Sequence, residues 1–254
     1  MTRWTGRKRS WRIGKAVLSV AFLCGAFGLP HQTVAGNVPW GQGGVSLVLG
    51  FPQHEFKQNV DRVGVGLALK LEGGPAGVPV AFGLSGGFMV YGSETRREPF
   101  SMTIPDVTVE VQTTNNLAFG HLYIRTGPRR GFFRPYVAGL VGLHYLFTQT
   151  KIRDVDEPDK EVASSTNFSD TAFSYGFAAG MQFKVHENVK QDPKTGKEQR
   201  VRVFLDVATK FLRGGEAEYL KEGSIRRENG KVAYDVSRSA TDLLLIEVGL
   251  TVGF

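Results

Sequence analysis

The sequence predicts an all-β protein: an eight-stranded antiparallel up-and-down transmembrane β-barrel that follows a cleaved signal peptide. Three observations lead to this prediction. Apolar residues alternate with small or polar residues over stretches of 9–13 residues, the length that a tilted strand needs to cross a bilayer. The links between these stretches are alternately short and long. Glycine supplies 32 of the 254 residues, nearly twice its usual share of about 7%.

The N-terminal segment has the pattern of a secretory signal peptide. Residues 1–15 contain six lysines and arginines and no acid, residues 16–29 are almost wholly apolar, and Thr33 and Ala35 are small residues at a cleavage site. We expect a signal peptide over residues 1–35 and a barrel domain over residues 36–254. A membrane anchor, a basic arm and lipidation at Cys24 are the alternatives. Removal of these six cations lowers the net charge from +7 to about +1, so the basic composition indicates export.

The first four predicted strands cover residues 44–51, 62–72, 78–92 and 115–126. Val45–Phe51 alternates loosely. In Val63–Leu71 and Val80–Val90, one face holds Val, Leu and Phe while the other holds mainly Gly, Ala and Ser. Leu117–Arg125 is ambiguous, because large apolar residues fall on both of its faces.

The last four predicted strands cover residues 135–150, 171–186, 200–212 and 241–254. Val137–Phe147 alternates loosely, whereas Phe173–Val185 and Val201–Phe211 are largely apolar at their odd positions. Every even position from Leu244 to Phe254 is apolar. A period of two places these apolar side chains on one face of each strand.

Alternation alone fits two architectures. A soluble sandwich or lipocalin-like barrel turns the apolar face inward, whereas a transmembrane barrel turns it toward lipid. The second face here is rich in small residues, which suit the crowded interior of an eight-stranded barrel. We therefore favour the transmembrane form and keep a soluble periplasmic ligand-binding barrel as an alternative.

The links support this topology. Residues 73–77 and 127–131 are short turns rich in Gly and Pro, and residues 187–199 form a longer turn. The other links are long and polar, covering residues 52–61, 93–114, 151–170 and 213–240. Short turns at one rim and long loops at the other are typical of a transmembrane barrel with both termini on the periplasmic side.

Two segments resemble a known group of proteins. The C-terminal Val248-Gly-Leu-Thr-Val-Gly-Phe254 and the segment Arg134-Pro-Tyr-Val-Ala-Gly-Leu-Val-Gly142 are similar to strands of the OmpA/OmpX-like outer-membrane β-barrel superfamily of Gram-negative bacteria. The resemblance covers the whole mature chain and implies an outer-membrane location. It also implies that the barrel-assembly machinery reads the terminal residues Phe254, Val252 and Leu250. The sequence shows no peptidoglycan-binding segment after the predicted barrel, so we do not expect the resemblance to extend to a wall-tethering role.

Charged and polar residues on the predicted lumen face could form a network. In a narrow interior of low dielectric, charges must pair or stay hydrated. We expect oppositely charged side chains to pair and plug the lumen; a binding or proton-relay site is the alternative. We expect Asp206 and Lys210 to find partners on neighbouring strands. The residues predicted for this charge network are Lys70, Glu72, His144, Lys184, Arg202, Asp206, Lys210 and Glu247.

The predicted function is a structural or surface-interaction role exerted by four outer loops, without a cofactor. Expected partners are outer-membrane lipid and lipopolysaccharide, with no nucleic acid, and we expect a monomer. The alternatives are a small-solute channel and an enzyme acting on lipid or lipopolysaccharide, for which His144 is the best candidate. No His-x-Ser pair or multi-Cys metal motif occurs. The acidic cluster Asp154, Asp156, Glu157, Asp159 and Glu161 lacks the glycine and terminal glutamate of a calcium loop, so we expect no metal.

Overall fold

The computed structural model describes residues 40–253 except 102–103, 155–160, 192–197 and 229–230, all within the compact unit Gly36–Phe254. The predicted signal peptide and Phe254 lie outside the described residues. In the described part, no helix is long and apolar enough to cross a membrane. The elements are β1 (Trp40–Pro52), α1 (His54–Asn59), β2 (Gly64–Gly74), β3 (Val80–Ser101), β4 (Ile104–Thr126), β5 (Phe133–Asp154), β6 (Glu161–Gln191), β7 (Glu198–Gly214), β8 (Glu216–Glu228), β9 (Lys231–Ala240) and β10 (Leu243–Gly253).

Eight strands close into a barrel, as predicted. The order around the ring is β1-β10-β7-β6-β5-β4-β3-β2, and every neighbouring pair is antiparallel. The strands β8 and β9 form a separate hairpin between β7 and β10. Because the ring is closed, no barrel strand has an unpaired edge over the central part of the barrel.

The register of the ring determines its dimensions. Paired residues followed once around the barrel lead from Gln42 to Pro52, a displacement of ten residues along β1. With eight strands, this stagger requires a strand tilt of about 41° and a backbone radius of about 8 Å. An interior of that radius is wide enough for side chains and little else.

The apolar face of the barrel points outward, which confirms the predicted transmembrane form. Outward side chains such as Leu69 (65% exposed), Phe177 (63%) and Leu122 (62%) form a continuous belt. At a tilt of about 41°, the apolar run Val63–Leu71, which begins one residue before β2, spans about 20 Å along the barrel axis. Aromatic residues flank the belt: Phe132 and Phe133 pack against Phe183 at one edge, and such girdles sit at membrane interfaces.

The ambiguous segment of β4 is resolved by burial. Leu122 and Ile124 face outward, whereas Leu117, Phe119 and Tyr123 are buried in the lumen. The lumen accommodates these large side chains because glycines on the neighbouring strand leave room beside them. A Cβ atom at Gly87 would lie closer than 3.0 Å to the Phe119 ring, and one at Gly83 would meet the Tyr123 ring in the same way.

The regions predicted as long loops contain more regular structure than expected. Residues 52–61 include α1, residues 213–240 include the β8–β9 hairpin, and β3 pairs with β4 well beyond the barrel to Ser101 and Ile104. β5 and β6 extend in the same way. The alternating Val107, Val109 and Val111 favour strand, and continued pairing satisfies backbone groups that a loop would expose.

The barrel has two distinct rims. We call the end that carries Trp40, Gly253 and the turns after β2 and β4 the terminal rim, and the opposite end, with α1 and the β8–β9 hairpin, the loop rim. Beneath the loop rim the interior is apolar, with Met89, Leu117 and Leu245 buried. Toward the terminal rim the interior is polar and charged, and this half contains the candidate site.

Candidate functional site: the polar lumen

Glu72 on β2 is the centre of the first lumen cluster. One carboxylate oxygen, Oε1, accepts a hydrogen bond from Gln42 and lies 2.9 Å from Arg125 Nη1. The other, Oε2, accepts a hydrogen bond of 2.8 Å from Tyr123 Oη. Glu72 and Arg125 are both buried, so each charge is compensated by its neighbour instead of by water. Of this cluster, Glu72 alone is predicted from the sequence as a member of the charge network.

Asp206 on β7 is the centre of a second cluster. Its Oδ2 atom accepts hydrogen bonds from Lys70 Nζ and from Gln182 Nε2 at 2.7 Å. Its Oδ1 atom accepts one of 2.8 Å from Tyr136 Oη. Lys70 lies on β2, three places from β7 around the ring, so the Lys70–Asp206 pair reaches across the lumen. The sequence predicts partners for Asp206 on the strands next to β7, and β2 is not one of those strands. The structure therefore differs from the prediction at Lys70.

Both clusters rely on a glycine between a tyrosine and its acid. Gly83 on β3 pairs with Glu72 on one side and with Tyr123 on the other. Gly180 on β6 pairs with Tyr136 and separates it from β7. A side chain at either glycine would clash with the tyrosine ring. The glycines on the lumen face therefore let each tyrosine cross one strand and reach a carboxylate on the next.

Lys210 and Glu247 form a third charge pair, deeper in the lumen. Their Nζ and Oε1 atoms are 2.7 Å apart, and both side chains are at least nine-tenths buried. Lys210 Nζ also lies 5.9 Å from the centroid of the Phe119 ring, a cation–π distance. Lys210 and Glu247 are predicted from the sequence to share one network, and the structure brings them into direct contact.

His144 lies in the lumen but not beside a charge partner. Its Nδ1 atom is 3.4 Å from Thr241 Oγ1, and its ring packs edge-on against His121, with centroids 5.6 Å apart. The residue that contacts Ser174 is His121, whose Nε2 atom lies 2.7 Å from Ser174 Oγ. His121 Nδ1 has no hydrogen-bond partner. Acyl transfer needs a third group to orient the base, and the described residues supply none there.

Lys184 and Arg202 do not join the lumen network. They lie at the terminal rim, where both pair with Glu187: the nitrogen–oxygen distances are 2.6 Å for Lys184 and 2.9 Å for Arg202. The hydrogen bond from Lys184, and after it the hydrogen bond from Arg202, lower the pKa of the Glu187 carboxyl to about 2. Lys184 is the last residue of β6 before a register shift, so it lies at the end of the barrel, where its side chain is about one-third exposed.

An apolar layer covers the polar lumen on the side of the loop rim. Phe56 of α1 is fully buried and packs edge-on against Tyr219 of β8, with centroids 5.1 Å apart, and against Tyr91 at 5.9 Å. Asp242 anchors the helix, since its Oδ2 atom lies 3.0 Å from His54 Nδ1 and 2.8 Å from Arg213 Nη1. The helix and the hairpin therefore share one apolar core with the upper barrel.

The outer hairpins are tied to one another. Arg96 on β3 donates a hydrogen bond of 2.8 Å to the Ile225 carbonyl oxygen of β8, and Glu94 accepts one of 2.9 Å from the Gly223 amide. Arg96 is thus half-buried in an interface between hairpins. Asp156, Glu157 and Asp159 of the acidic cluster lie outside the described residues. No group of three potential metal ligands occurs in the part of the chain that is described.

Comparisons with known proteins return structural likeness alone. No family model matches the sequence, and no curated protein matches it. The chain is similar to the crystal structure of Neisserial surface protein A, with 11% identity, a TM-score of 0.35, and coverage of 86% of this chain and 98% of that chain. It is also similar to a major outer membrane protein from Thermus thermophilus, with 12% identity, a TM-score of 0.33, and coverage of 84% and 99%.

The class of fold follows from the structure itself. The chain is an eight-stranded antiparallel barrel of the outer-membrane type, as the outward apolar belt and the closed ring require. Because no family model matches, the OmpA/OmpX-like resemblance of the terminal strand stays a prediction. The proposed role of Phe254, Val252 and Leu250 in assembly stays one as well.

Proposed function

We propose that the protein is an integral outer-membrane barrel with a closed lumen, which acts through its outer hairpins as a structural or surface-interaction protein. The observation that carries this proposal is the inversion of polarity: apolar side chains cover the outside while Glu72, Asp206 and Lys210 are buried inside. A soluble barrel would have the opposite arrangement. We place the terminal rim in the periplasm and the loop rim at the cell surface, where lipopolysaccharide is the nearest partner.

Two layers support a closed lumen. In the polar half, Glu72, Asp206 and Glu247 each hold a cation and fill the cross-section with paired side chains. In the apolar half, Met89, Leu117 and Leu245 are buried, and a Cβ at Gly50 would clash with the Met89 side chain. With a backbone radius of about 8 Å, these layers leave no room for a wide aqueous path.

The lumen prediction is tested by conductance. The full chain is refolded in detergent, its folding is checked by heat-modifiable gel migration, and it is inserted into planar bilayers. We expect no conductance above the lipid background. A steady conductance from verified, folded protein contradicts the closed lumen and favours the channel alternative, without affecting the membrane location.

Location and orientation are tested in cells with single cysteines. The natural chain has one cysteine, Cys24, so a Cys24→Ser background can carry one probe at a time. Asp235→Cys in β9 and Arg130→Cys in the turn after β4 are exposed positions near opposite rims. We expect a membrane-impermeant maleimide to label Asp235→Cys in intact cells and Arg130→Cys after permeabilisation alone. Release of the protein by osmotic shock, or the reverse labelling pattern, contradicts the proposal.

A further inference from the structure

In the described part of the chain, the arginines at the terminal rim outnumber the acids paired with them. The arginines there include Arg125 at the end of β4, Arg129 in the following turn, Arg134 at the start of β5 and Arg202 on β7. Arg134 is the most constrained of those without an acid partner, because it is 8% exposed. Burying an unpaired cation is costly, so its environment needs an explanation.

Two contacts hold the Arg134 guanidinium group, one to its flat face and one from its Nε atom. Its guanidinium carbon lies 4.2 Å from the centroid of the Phe204 ring, and its Nε atom donates to the Gly131 carbonyl oxygen at 3.3 Å. Stacking on a ring occupies the flat face of a guanidinium and leaves the N–H groups of its edge directed sideways. Among the described residues, no carboxylate lies within ion-pair distance of this edge.

The acids near Arg134 are already occupied. Glu187 receives Lys184 and Arg202. Glu72 receives Gln42, Tyr123 and Arg125. Arg202 and Arg125 repel the Arg134 cation, whereas Glu187 attracts it. Among the described residues, moving Glu187 or Glu72 to Arg134 would leave Arg202 or Arg125 without its acid.

Unpartnered hydrogen-bond donors accompany this charge. Trp40 Nε1 and Arg129 Nε are buried without a hydrogen-bond acceptor. They lie close together beside Arg125, since the Arg129 and Arg125 guanidinium carbons are 4.7 and 5.8 Å from the Trp40 ring. Gln182 Oε1, on the residue paired with Arg134, is an unpartnered acceptor at this end, but it carries no charge. A rim with surplus cations and surplus donors fits a ligand that brings negative charge and acceptors.

We propose that the terminal rim binds a small oxyanion, a phosphate or a carboxylate group, with Arg134 and Arg202 as its principal ligands beside Arg125. Guanidinium edges match such groups in geometry and form charge-assisted hydrogen bonds with them. The proposal rests on the proposed function only in naming this rim periplasmic, where the group could belong to a free anion or to a lipid headgroup. Binding itself is measured in micelles and does not depend on orientation.

Trp40 provides the measurement. The chain has three tryptophans, so replacing Trp4 and Trp11 with Phe leaves Trp40, beside Arg129 and Arg125, as the sole emitter. The protein is refolded in uncharged detergent and titrated with sodium phosphate and, separately, sodium acetate at constant ionic strength held with sodium chloride. A third series adds phosphatidylglycerol to the micelles. We expect a saturable change in Trp40 emission, and the most effective series identifies the source of the group.

Variants separate binding from folding. Arg134→Gln and Arg202→Gln should each weaken binding about tenfold or more, since each removes a charge-assisted hydrogen bond. Arg134→Lys, which keeps the charge, should bind more tightly than Arg134→Gln. Arg238→Gln, at an exposed pair in the outer hairpin, is the matched control and should bind as the parent does. Heat-modifiable migration verifies that each variant is folded.

Three results overturn the proposal. The first is the absence of a saturable response in folded parent protein. The second is an unchanged affinity in both folded Arg134→Gln and folded Arg202→Gln. The third is an equal response to chloride at the same ionic strength, because this would indicate general screening of the arginines and no bound oxyanion. None of these results bears on membrane location or on conductance.

Discussion

Replacing Asp206 with Leu should strongly destabilise the barrel, because Asp206 is the sole acid that the described structure places beside Lys70 in the lumen. Its carboxylate is 2% exposed and also accepts hydrogen bonds from Tyr136 and Gln182. Removing one partner of a buried ion pair costs about 3–5 kcal/mol, since the other charge is stranded. Each neutral donor left without an acceptor adds about 1 kcal/mol or more. We therefore expect Asp206→Leu to lose at least about 4 kcal/mol, a large part of a typical stability of about 5–15 kcal/mol.

The reasoning is tested by removing Lys70 as well. The double variant Lys70→Met/Asp206→Leu no longer strands a charge, although Tyr136 and Gln182 still lack their acceptor. It should be more stable than Asp206→Leu by about 2 kcal/mol or more. Glu216→Gln is the control, because the Glu216–Arg238 pair is exposed on both sides and such pairs contribute about 0–1 kcal/mol.

The assay is equilibrium unfolding by urea in detergent micelles. The loss of strand signal in circular dichroism and heat-modifiable gel migration are followed on the same samples, and two-state behaviour is accepted where the transitions coincide. The reasoning is refuted if Asp206→Leu lies within about 1 kcal/mol of the parent. It is refuted equally if the double variant is no more stable than the single one, because the stranded charge would then not be the cause.

The same structure makes three further predictions. Gly83→Ala should cost about 1–3 kcal/mol of unfolding free energy, while Gly139→Ala, where a Cβ meets nothing within 4 Å, should be neutral in the same urea assay. The lowered pKa of Glu187 means that its pair stabilises the fold above the ordinary pKa of 4.5 and that this contribution is lost as the pH falls toward about 2. Glu187→Gln should therefore flatten the pH dependence of unfolding in that window, and an unchanged slope contradicts this. Phe56→Ala, at a fully buried site, should expose α1 and the outer hairpin to limited proteolysis while heat-modifiable migration persists.

The sequence predicts most of the barrel, because local alternation determines which face of each strand is apolar. It does not predict the inward face of β4, since Phe119 and Leu122 are both large and apolar. Phe119 can face inward because Gly87 on β3 leaves space beside its ring. The sequence alone does not show this, because the pairing of β3 with β4 must be known first. The extensions of β3 and β4 were missed for a related reason: polar residues suggested loops, whereas backbone pairing outside the barrel depends on two segments meeting.

At the candidate site, the sequence predicts which residues face the lumen better than it predicts which of them pair. Residues of one face, such as Lys70 and Glu72, could be recognised as lumen residues from alternation. Their partners could not, because Lys70 meets Asp206 across the lumen, and period-two reasoning relates neighbouring strands alone. Arg125 was missed as a ligand of Glu72 because the faces of its strand were ambiguous.

The glycines connect these observations. On the lumen face, a glycine excludes a side chain from its own strand and thereby lets a tyrosine from one neighbour reach an acid on the other. Gly83 does this between Tyr123 and Glu72, and Gly180 does it for Tyr136 and Asp206. The excess of glycine thus serves the polar network directly, since without these gaps both carboxylates would lose a buried donor. A sequence search for such networks should therefore look for glycine on the middle strand of three, with tyrosine at its register position on one side and an acid on the other, either in register as for Gly83 or two residues away as for Gly180.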